Sequence, residues 1–355
     1  MMSHGHELPL RVSVIICTYG RSENLANALH SLARMSVPPS FPWELLVVDN
    51  NSPDNTAEVV DSFRQRETHV PLKYVFEAVP GLSSARNRGI RESRGEILAF
   101  LDDDVRVSEG WLIEVRRAFD EFDAASVGGR VLLDDRSPRP RWWEKSYDVA
   151  VGEFDRGTEV IIDQSEETLI GIGANIMFKR TAVEQCGWFR TDMGRKANQL
   201  TTGEETDMVQ RLRHAGYSVM YYPHALVYHC VPRERFTKPY LRQHFYNSGQ
   251  WYFLQESEEP GMEPRILGVP RWRYRSLLEE TGNTLRFLLS RRPVECFLHQ
   301  LRVVFFWGYF RAAQKARHAR AGVSGKTVSP APGKESRSEK SECELAQRQQ
   351  ADDRR

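Results

Sequence analysis

The fold is decided by the stretch Ile97-Leu98-Ala99-Phe100-Leu101-Asp102-Asp103-Asp104, in which five apolar residues are followed directly by three acids. A short apolar run of this kind predicts a buried strand that ends where the acids begin. Adjacent carboxylates repel one another, and a shared cation relieves that repulsion. Mg²⁺ and Mn²⁺ favour carboxylate and phosphate oxygens, so the stretch predicts a divalent-metal site that holds a diphosphate. A solvated acidic turn is the alternative interpretation.

Further apolar runs predict a repeating strand–helix order before residue 130. These runs are Val12–Cys17, Leu45–Val48, Leu72–Phe76 and Ser126–Val127. Strands that alternate with helices predict an α/β fold with a mainly parallel sheet and right-handed crossovers. Ligands of such sheets bind beyond the carboxyl ends of the strands. Thr18, Tyr19 and Asp49 stand at such ends, so one crevice is expected to collect them with the three acids.

Composition limits the classes of function. The chain has 355 residues, a hydrophobic content of 40% and a formal net charge of +1, which gives no reason to expect a nucleic-acid partner. Its five cysteines include no CxxC pair, so a zinc cluster or disulfide framework is not expected and a reducing cytoplasm fits best. The GxGxxG, GxxxxGK[ST] and GxSxG motifs are absent from the sequence, which argues against a dinucleotide dehydrogenase, a P-loop enzyme and a serine hydrolase.

Five blocks of the sequence resemble the ordered motifs of family 2 glycosyltransferases. They are VSVIICTYGR (12–21), LVVDNNSPDNT (46–56), GLSSARNRGI (81–90), GEILAFLDDD (95–104) and GEETDMVQRLRHAGY (203–217). The resemblance implies the GT-A fold, a Rossmann-like nucleotide-binding sheet flanked by helices. It also implies a metal-dependent, inverting transfer of a sugar from a nucleoside-diphosphate sugar, with UDP ahead of GDP and dTDP as the carrier. The implied acceptor is a hydroxyl of a polysaccharide or a lipid-linked sugar.

The same resemblance implies which residues bind the nucleotide sugar. Thr18 and Tyr19 match the pair that lines the nucleobase pocket, and Asp49 matches the acid that accepts a hydrogen bond from the base. Arg86 matches a basic residue near the nucleotide. Two of these positions have structural alternatives, because Tyr19 would also serve as an aromatic lid on the core and Asp49 as a turn cap.

The acids and one histidine carry the implied metal chemistry. Asp102 would contact the ribose, and Asp104 would hold Mn²⁺ or Mg²⁺. Asp103 lies between them in the sequence and is grouped with the residues that bind the nucleotide sugar. His229 follows the strand-like segment Ala225–Tyr228 and would supply a second metal ligand, although a purely structural role is an open alternative. The cation would offset the charge that develops on the departing diphosphate.

The catalytic base shows a departure from the family pattern. Where the family usually has Gly-Glu-Asp, this chain reads Gly203-Glu204-Glu205, so Glu205 stands at the position of the base. Glutamate has nearly the same intrinsic pKa as aspartate and can accept the proton of a hydroxyl group. Asp207 and Glu204 are the alternatives. A structural interpretation is a capping box from Thr202 to Glu205.

The acceptor side is expected near Ile170–Arg180, where the small residues Gly171 and Gly173 would let a sugar approach the backbone. Tight sheet packing explains the same residues equally well. The polar stretch at 191–202 is interpreted as a mobile loop that closes on the donor.

Beyond residue 235 the pattern becomes helical. Helices are expected at Tyr240–Gln255, at Leu277–Leu289 and around the apolar block Val303–Phe310. That block is flanked by cations, so it is interpreted either as an interfacial helix on the cytoplasmic face of a membrane or as a helix packed on the catalytic domain or a partner subunit. The expected domains are a flexible N-terminus (1–10), a glycosyltransferase domain (11–235), a helical extension (236–320) and a disordered tail (321–355).

Two functions from other classes remain open at this point. A sugar-phosphate nucleotidyltransferase shares a Rossmann-like sheet and metal-binding acids, although Thr18-Tyr19-Gly20-Arg21 is a poor triphosphate loop. A catalytically silent nucleotide-sugar-binding module is supported by the change to Glu205 alone.

Overall fold

The computed structural model describes residues 11–134, 139–163, 169–193, 203–258 and 264–324. The expected flexible N-terminus (1–10) and most of the expected loop (194–202) therefore lie outside the described residues. The strands are β1 (Val12–Thr18), β2 (Trp43–Asp49), β3 (Leu72–Phe76), β4 (Ile97–Asp102), β5 (Val105–Val107), β6 (Ser126–Leu133), β7 (Ile161–Asp163), β8 (Asn175–Lys179), β9 (Val219–His229), β10 (Arg265–Ile266) and β11 (Val269–Pro270).

The helices alternate with the strands in the first half of the chain and follow one another at its end. They are α1 (Ser22–Ala33), α2 (Thr56–Arg66), α3 (Leu82–Glu92), α4 (Trp111–Glu121), α5 (Arg180–Cys186), α6 (Glu204–His214), α7 (Lys238–Glu258), α8 (Arg271–Leu289) and α9 (Pro293–Ser324). Short 3₁₀ turns form at Lys145–Val151 and Arg233–Arg235.

One large sheet organises the described chain. Its strand order is β3-β2-β1-β4-β8-β6-β9-β5, with β7 paired to β9. Strands β3, β2, β1 and β4 are mutually parallel, as expected, and β6 is parallel to β9, whereas β8, β5 and β7 run antiparallel to their neighbours. The expected mainly parallel α/β sheet flanked by helices is confirmed.

Apolar side chains cover both faces of the sheet because its central strands are buried on both sides. In β1, Val14 and Ile16 pack into a core on one face together with helices α1, α2 and α4. Ile15 points to the other face and joins a core that includes residues of α3, α5 and α6. This arrangement explains why β1 reads as a continuous apolar run in the sequence.

Strand β5 was not expected, and it determines where the acids lie. Its three residues follow Asp104 directly and pair antiparallel with the end of β9, so that Val105 faces His229. The backbone N–H of Cys230 donates to the carbonyl of Asp104 at 2.8 Å. Asp103 and Asp104 therefore form the turn between β4 and β5, and His229 is brought next to that turn from a distant part of the sequence.

Helices α7 and α9 contribute to a third apolar cluster, which they share with the 3₁₀ turn Lys145–Val151. Helices α7 and α9 approach closely through glycines, because a Cβ at Gly249 would lie 2.0 Å from the carbonyl oxygen of Phe305 and one at Gly308 would lie 2.0 Å from that of Tyr246. The apolar block Val303–Phe310 faces this interface, and Trp307 is its one exposed residue. Of the two interpretations of the block, packing fits the structure.

Helix α8 is different. All 19 of its residues are described, and none of them is buried. No helix in the described residues is long and apolar enough to cross a membrane. The compact unit that contains the sheet ends at Ala312, and the described residues after it are the last turns of α9. The expected disordered tail (321–355) is wrong at its start, because α9 continues to Ser324; the residues from 325 onwards lie outside the described part of the chain.

Candidate active site

The acids at the end of β4 are buried. Asp103 and Asp104 are 4% and 5% exposed. Oδ2 of Asp103 accepts a hydrogen bond from the hydroxyl of Thr18 at 2.7 Å. The guanidinium of Arg21 donates to Asp103 at 3.1 Å and to Asp104 at 3.0 Å. The acids therefore do not form a solvated turn, and a cationic side chain already relieves part of their repulsion.

Their surroundings shift the pKa values of Asp103 and Asp104 in opposite directions. Burial and the neighbouring Asp104 raise the pKa of Asp103 to about 7, against the opposing effect of Arg21. Burial alone would raise the pKa of Asp104 as well, but the adjacent His229, Arg21 and Arg235 outweigh it and hold that pKa well below its usual range. Of these two acids, Asp104 is therefore the one that stays ionised.

His229 lies beside Asp104, with 3.2 Å between its Nε2 and Oδ1 of the acid. On the other side of the ring, Nδ1 lies 3.3 Å from the carbonyl oxygen of Gly152. With a proton on Nε2 the ring donates to Asp104, and in this state it lowers the pKa of that acid. With its proton on Nδ1 instead, the ring donates to the carbonyl of Gly152 and the lone pair of Nε2 faces the carboxylate. A histidine that binds a metal commonly donates its other ring N–H to a carbonyl in this way.

This pair of side chains fits a divalent cation. Oδ1 of Asp104 is buried, and Nε2 of His229 lies 3.2 Å from it. Two lone pairs that face each other at such a distance need a proton or a metal ion between them, and the carboxylate is a ligand type that suits Mn²⁺ and Mg²⁺. No group of three or more histidine, cysteine or acidic side chains with the arrangement of a metal centre occurs in the described residues. A cation here would therefore take its remaining ligands from water and phosphate.

On the nucleotide side, Tyr19 is 51% exposed and Asp49 is 4% exposed. Asp49 accepts hydrogen bonds from the hydroxyl of Tyr74 at 2.7 Å and from the backbone N–H of Ser52 at 2.9 Å. The turn-capping role of Asp49 is therefore present, and its orientation is fixed. The exposure of Tyr19 leaves its ring available to a base and does not fit a lid on the core.

Arg86 lies deeper than the resemblance implied. It is 2% exposed, and its Nη1 lies 2.6 Å from Oε1 of Glu204 and 3.9 Å from Oε2 of Glu205. Its guanidinium stands over the rings of Phe100 and Phe189, at 5.8 and 5.3 Å from their centroids. Arg86 thus connects α3 with the start of α6, next to the expected base.

The candidate bases have different environments. The side chain of Glu205 is 18% exposed, whereas that of Glu204 is 4% exposed. Asp207 accepts a hydrogen bond from Nε of Arg211 at 2.9 Å and lies 3.6 Å from Arg190. Since Asp207 and Glu204 are each held by an arginine, Glu205 is the most accessible of the three carboxylates.

The expected capping box is wrong in its boundary. Helix α6 begins at Glu204 with Gly203 as its N-cap, at a φ of +107°. Glu205 is therefore the second residue of the helix and not the third, while Thr202 lies outside the described residues. A Cβ at Gly203 would lie 2.4 Å from Nε1 of Trp251, so the indole of α7 takes the space that a side chain would need.

The two glycines of the expected acceptor segment have different neighbours. A Cβ at Gly171 would lie 2.7 Å from Cα of Gly128, which is tight packing. One at Gly173 would lie 2.4 Å from Nη2 of Arg86 and 3.6 Å from Oε1 of Glu205. The packing interpretation thus fits both glycines, and Gly173 packs against the guanidinium of Arg86 beside the candidate base.

Sequence reasoning missed three side chains at this site. Arg21 was recognised only as part of a motif, and no local pattern relates it to acids that lie 82 and 83 positions further along the chain. Tyr74 holds Asp49 from the neighbouring strand, and the parallel register of β2 and β3 was the signal that could have found it. Trp251 stands out in the sequence only as one aromatic residue among several in α7.

Comparison with known proteins identifies the family. The model of the family described as glycosyl transferase family 2 matches residues 13–187. The succinoglycan biosynthesis protein ExoM of Rhizobium meliloti is 31% identical over 242 residues, which are 68% of this chain and 74% of that protein. The glucosyl-dolichyl phosphate glucuronosyltransferase of Haloferax volcanii is 27% identical over 62% of this chain and 69% of that protein.

A solved structure agrees with these relatives in fold. The mannosyltransferase PcManGT from Pyrobaculum calidifontis, in complex with GDP-Man and Mn²⁺, is 19% identical and has a TM-score of 0.53. The alignment covers 92% of this chain and 79% of that one, and the GT-A fold is confirmed. Together with the similarity to ExoM over two thirds of both proteins, this shows that the chain is a glycosyltransferase and belongs to glycosyl transferase family 2.

Proposed function

We propose that the protein is a metal-dependent, inverting glycosyltransferase that moves a sugar from a UDP-sugar to a hydroxyl of a polysaccharide or a lipid-linked acceptor. One observation carries the proposal: the buried carboxylate of Asp104 and Nε2 of His229 face each other at 3.2 Å at the end of the central strand β4. Glu205 and Asp102 are both close enough to Arg86 to act on it electrostatically. Their common neighbour supports a single crevice in which the proposed base lies near the proposed donor site.

Asp104 and His229 are the residues that would hold Mn²⁺ or Mg²⁺. When bound, the cation supplies positive charge to the two phosphates as the sugar leaves. Thr18 and Arg21 orient Asp103 and Asp104 through the hydrogen bonds described above. Tyr19 would stack on the base, Asp49 would accept a hydrogen bond from it, and Asp102 would contact the ribose.

Glu205 is the proposed base. It would remove the proton of the acceptor hydroxyl while that oxygen attacks the anomeric carbon from the face opposite the diphosphate, so the configuration inverts and no enzyme nucleophile is required. Its greater exposure, and the engagement of Glu204 and Asp207 with arginines, support this choice.

The names of two relatives point to polysaccharide or lipid-linked acceptors for those proteins. One is named for succinoglycan biosynthesis and another for transfer of glucuronic acid to glucosyl-dolichyl phosphate. We infer the same class of acceptor here, and UDP as the nucleotide.

Glu205→Gln tests the reaction. Release of UDP from a panel of UDP-glucose, UDP-N-acetylglucosamine and UDP-glucuronate is followed in Mn²⁺, and GDP-mannose serves as the comparison donor. Removing a general base is expected to lower turnover by about 10² to 10⁴-fold, while the affinity for UDP stays within about twofold. Glu121→Gln, an exposed glutamate of α4, is the matched control. Full turnover in Glu205→Gln would exclude this base.

The same experiment addresses the rival functions. A sugar-phosphate nucleotidyltransferase would release pyrophosphate from UTP and a sugar phosphate. A silent binding module would bind UDP without hydrolysing any donor in the panel, in both the wild type and the variant.

We also propose that the protein contacts the cytoplasmic face of a membrane, through α8 and not through the block Val303–Phe310. Leu278, Leu285 and Leu289 are 73%, 56% and 83% exposed and recur at helical spacing along one side of α8. Arg275 and Arg286, which are also exposed, border this leucine stripe. Exposed leucines beside arginines suit the interface of an anionic leaflet.

Co-sedimentation with vesicles tests this contact. The full chain is expected to bind phosphatidylglycerol vesicles, to bind phosphatidylcholine vesicles more weakly, and to lose binding in the double variant Leu285→Asp/Leu289→Asp. Val79→Asp, at an exposed apolar residue of the sheet domain, is the matched control. Equal binding by both variants would contradict the proposal. A wild-type dimer that the double variant abolishes would assign α8 to a second copy of the chain.

A further inference from the structure

The start of α6 has two carboxylate oxygens that lack hydrogen-bond donors. Oε2 of Glu204 and Oε2 of Glu205 are both buried, and neither accepts a hydrogen bond within the described part of the chain. A buried acceptor without a partner costs about 1 to 3 kcal/mol, and more when it is charged. Two such atoms on consecutive residues therefore require an explanation.

The charges around these residues do not balance when both glutamates are ionised. Arg86 contacts both of them, at 2.6 Å from Glu204 and 3.9 Å from Glu205. The other groups that act on Arg86 are Asp102 of β4 and the Cys17 thiol of β1, and Asp102 adds further negative charge. One buried guanidinium thus faces two glutamates, which leaves an excess of negative charge when both are ionised.

We propose that Glu204 and Glu205 share one proton through their Oε2 atoms, and that Glu204 is thereby the positioning residue for the base. A proton on Glu204 makes it a donor to Glu205, so both orphaned oxygens gain a partner and the excess negative charge falls by one. Glu205 stays ionised and keeps Oε1, on the side of Gly173, for the acceptor hydroxyl. The part of Glu205 as base rests on the function proposed above, whereas the shared proton does not.

The electrostatic environment agrees with this geometry. Burial and the neighbouring Glu205 raise the pKa of Glu204 to about 8, although Arg86 acts in the opposite direction. A glutamate whose pKa rises on folding stabilises the fold while it is protonated. Its contribution is complete below its ordinary value of 4.5, declines as the pH rises toward 8 and changes no further above that.

Thermal unfolding without metal or donor tests the shared proton directly. The melting temperature of the full chain is measured from pH 5 to 9.5 for the wild type, Glu204→Gln and the surface control Glu121→Gln. The amide of Glu204→Gln still donates to Glu205 but does not titrate. The wild-type value minus the Glu204→Gln value is expected to fall by roughly 3 °C between pH 5 and 8 and then to stay constant. The Glu121→Gln difference should be flat throughout.

Two results would overturn the proposal. One is a difference between the wild type and Glu204→Gln that does not change with pH. The other is a pH-dependent decline that persists in full in Glu205→Gln, because Glu204 would then hold its proton without its neighbour. In the expected case Glu205→Gln removes most of the decline, since Arg86 is then left with one glutamate.

Hydrolysis of UDP-glucose in Mn²⁺ supplies the functional readout. Glu204→Gln is expected to keep at least about a fifth of wild-type turnover, whereas Glu204→Ala, which lacks a donor, should fall by about 10 to 100-fold with the KM for UDP-glucose little changed. Equal losses in both variants would contradict a positioning role. If Glu205→Gln were fully active, the proposed base would be wrong, and the thermal curves would still decide whether the proton is shared.

Discussion

The guanidinium of Arg21 lies 3.0 Å from Oδ2 of Asp104, so the most strongly ionised acid of the site has a cationic side chain beside it before any metal binds. The same Nη1 atom also reaches Asp103 at 3.1 Å. Arg21 is 37% exposed at its side chain, whereas the two acids are almost fully buried. The arginine can therefore move away toward solvent, and the acids cannot.

The contact of Arg21 with the two acids predicts how Arg21→Gln changes thermal stability and the response to Mn²⁺. Without the guanidinium, two buried carboxylates repel each other, so the metal-free protein should unfold at a lower temperature. Added Mn²⁺ should raise the melting temperature of the variant more than that of the wild type, because the ion replaces the lost charge. The matched control is Arg64→Gln, which breaks an exposed pair with Asp61 and should change stability by less than about 0.5 kcal/mol. Equal responses to Mn²⁺ in the variant and the wild type would refute the idea.

Tyr19 gives a second prediction about the donor. Its ring is half exposed beyond the end of β1, and stacking of a base on an aromatic ring contributes about 1 to 3 kcal/mol. Tyr19→Ala should therefore weaken UDP binding by about 5 to 100-fold in isothermal titration, while Tyr19→Phe should keep most of the affinity. Tyr252→Ala, at a similarly exposed tyrosine of α7, is the control. Unchanged UDP affinity in Tyr19→Ala would remove the tyrosine from the nucleobase pocket.

The glycine contacts between α7 and α9 give a third prediction, which concerns stability alone. A Cβ at Gly249 would lie 2.0 Å from a carbonyl oxygen of α9, so Gly249→Ala should force the helices apart at a cost of about 1 to 3 kcal/mol. Gly282→Ala, in α8, meets no atom within 4 Å and should be neutral or stabilising by up to about 1 kcal/mol. Chemical denaturation measures both. Similar stabilities of the two variants would mean that α7 and α9 do not meet at Gly249.

The sequence was sufficient to predict the first half of the fold because its strands are buried on both faces. The run from Ile97 to Leu101 has no polar interruption, so its strand was clear from pattern alone. Strand β5 was missed because three residues carry no periodicity. Strand β8 inserts between β4 and β6, and such an order depends on pairing between distant segments that local sequence does not encode.

At the site, the acids and their order were predictable, whereas their partners were not. The resemblance placed Arg86 near the nucleotide, but its contact with Glu204 joins residues 118 positions apart. For the apolar block Val303–Phe310 the sequence left a membrane-surface helix and a packed helix open, because composition does not show that the block packs on α7. The exposure of the leucines of α8 could not be predicted either, since their spacing is also that of an ordinary buried helix.

The most direct test of the whole account is the affinity for UDP with and without Mn²⁺, measured by isothermal titration in the wild type and in Asp104→Asn. The amide keeps the size of the side chain but removes the charge that a divalent ion requires. Asp120→Asn, at a surface aspartate of α4, is the control. We predict that Mn²⁺ strengthens UDP binding by at least about tenfold in the wild type and the control, and has little effect in Asp104→Asn. An equal gain from Mn²⁺ in Asp104→Asn would contradict the assignment of the metal to this acid.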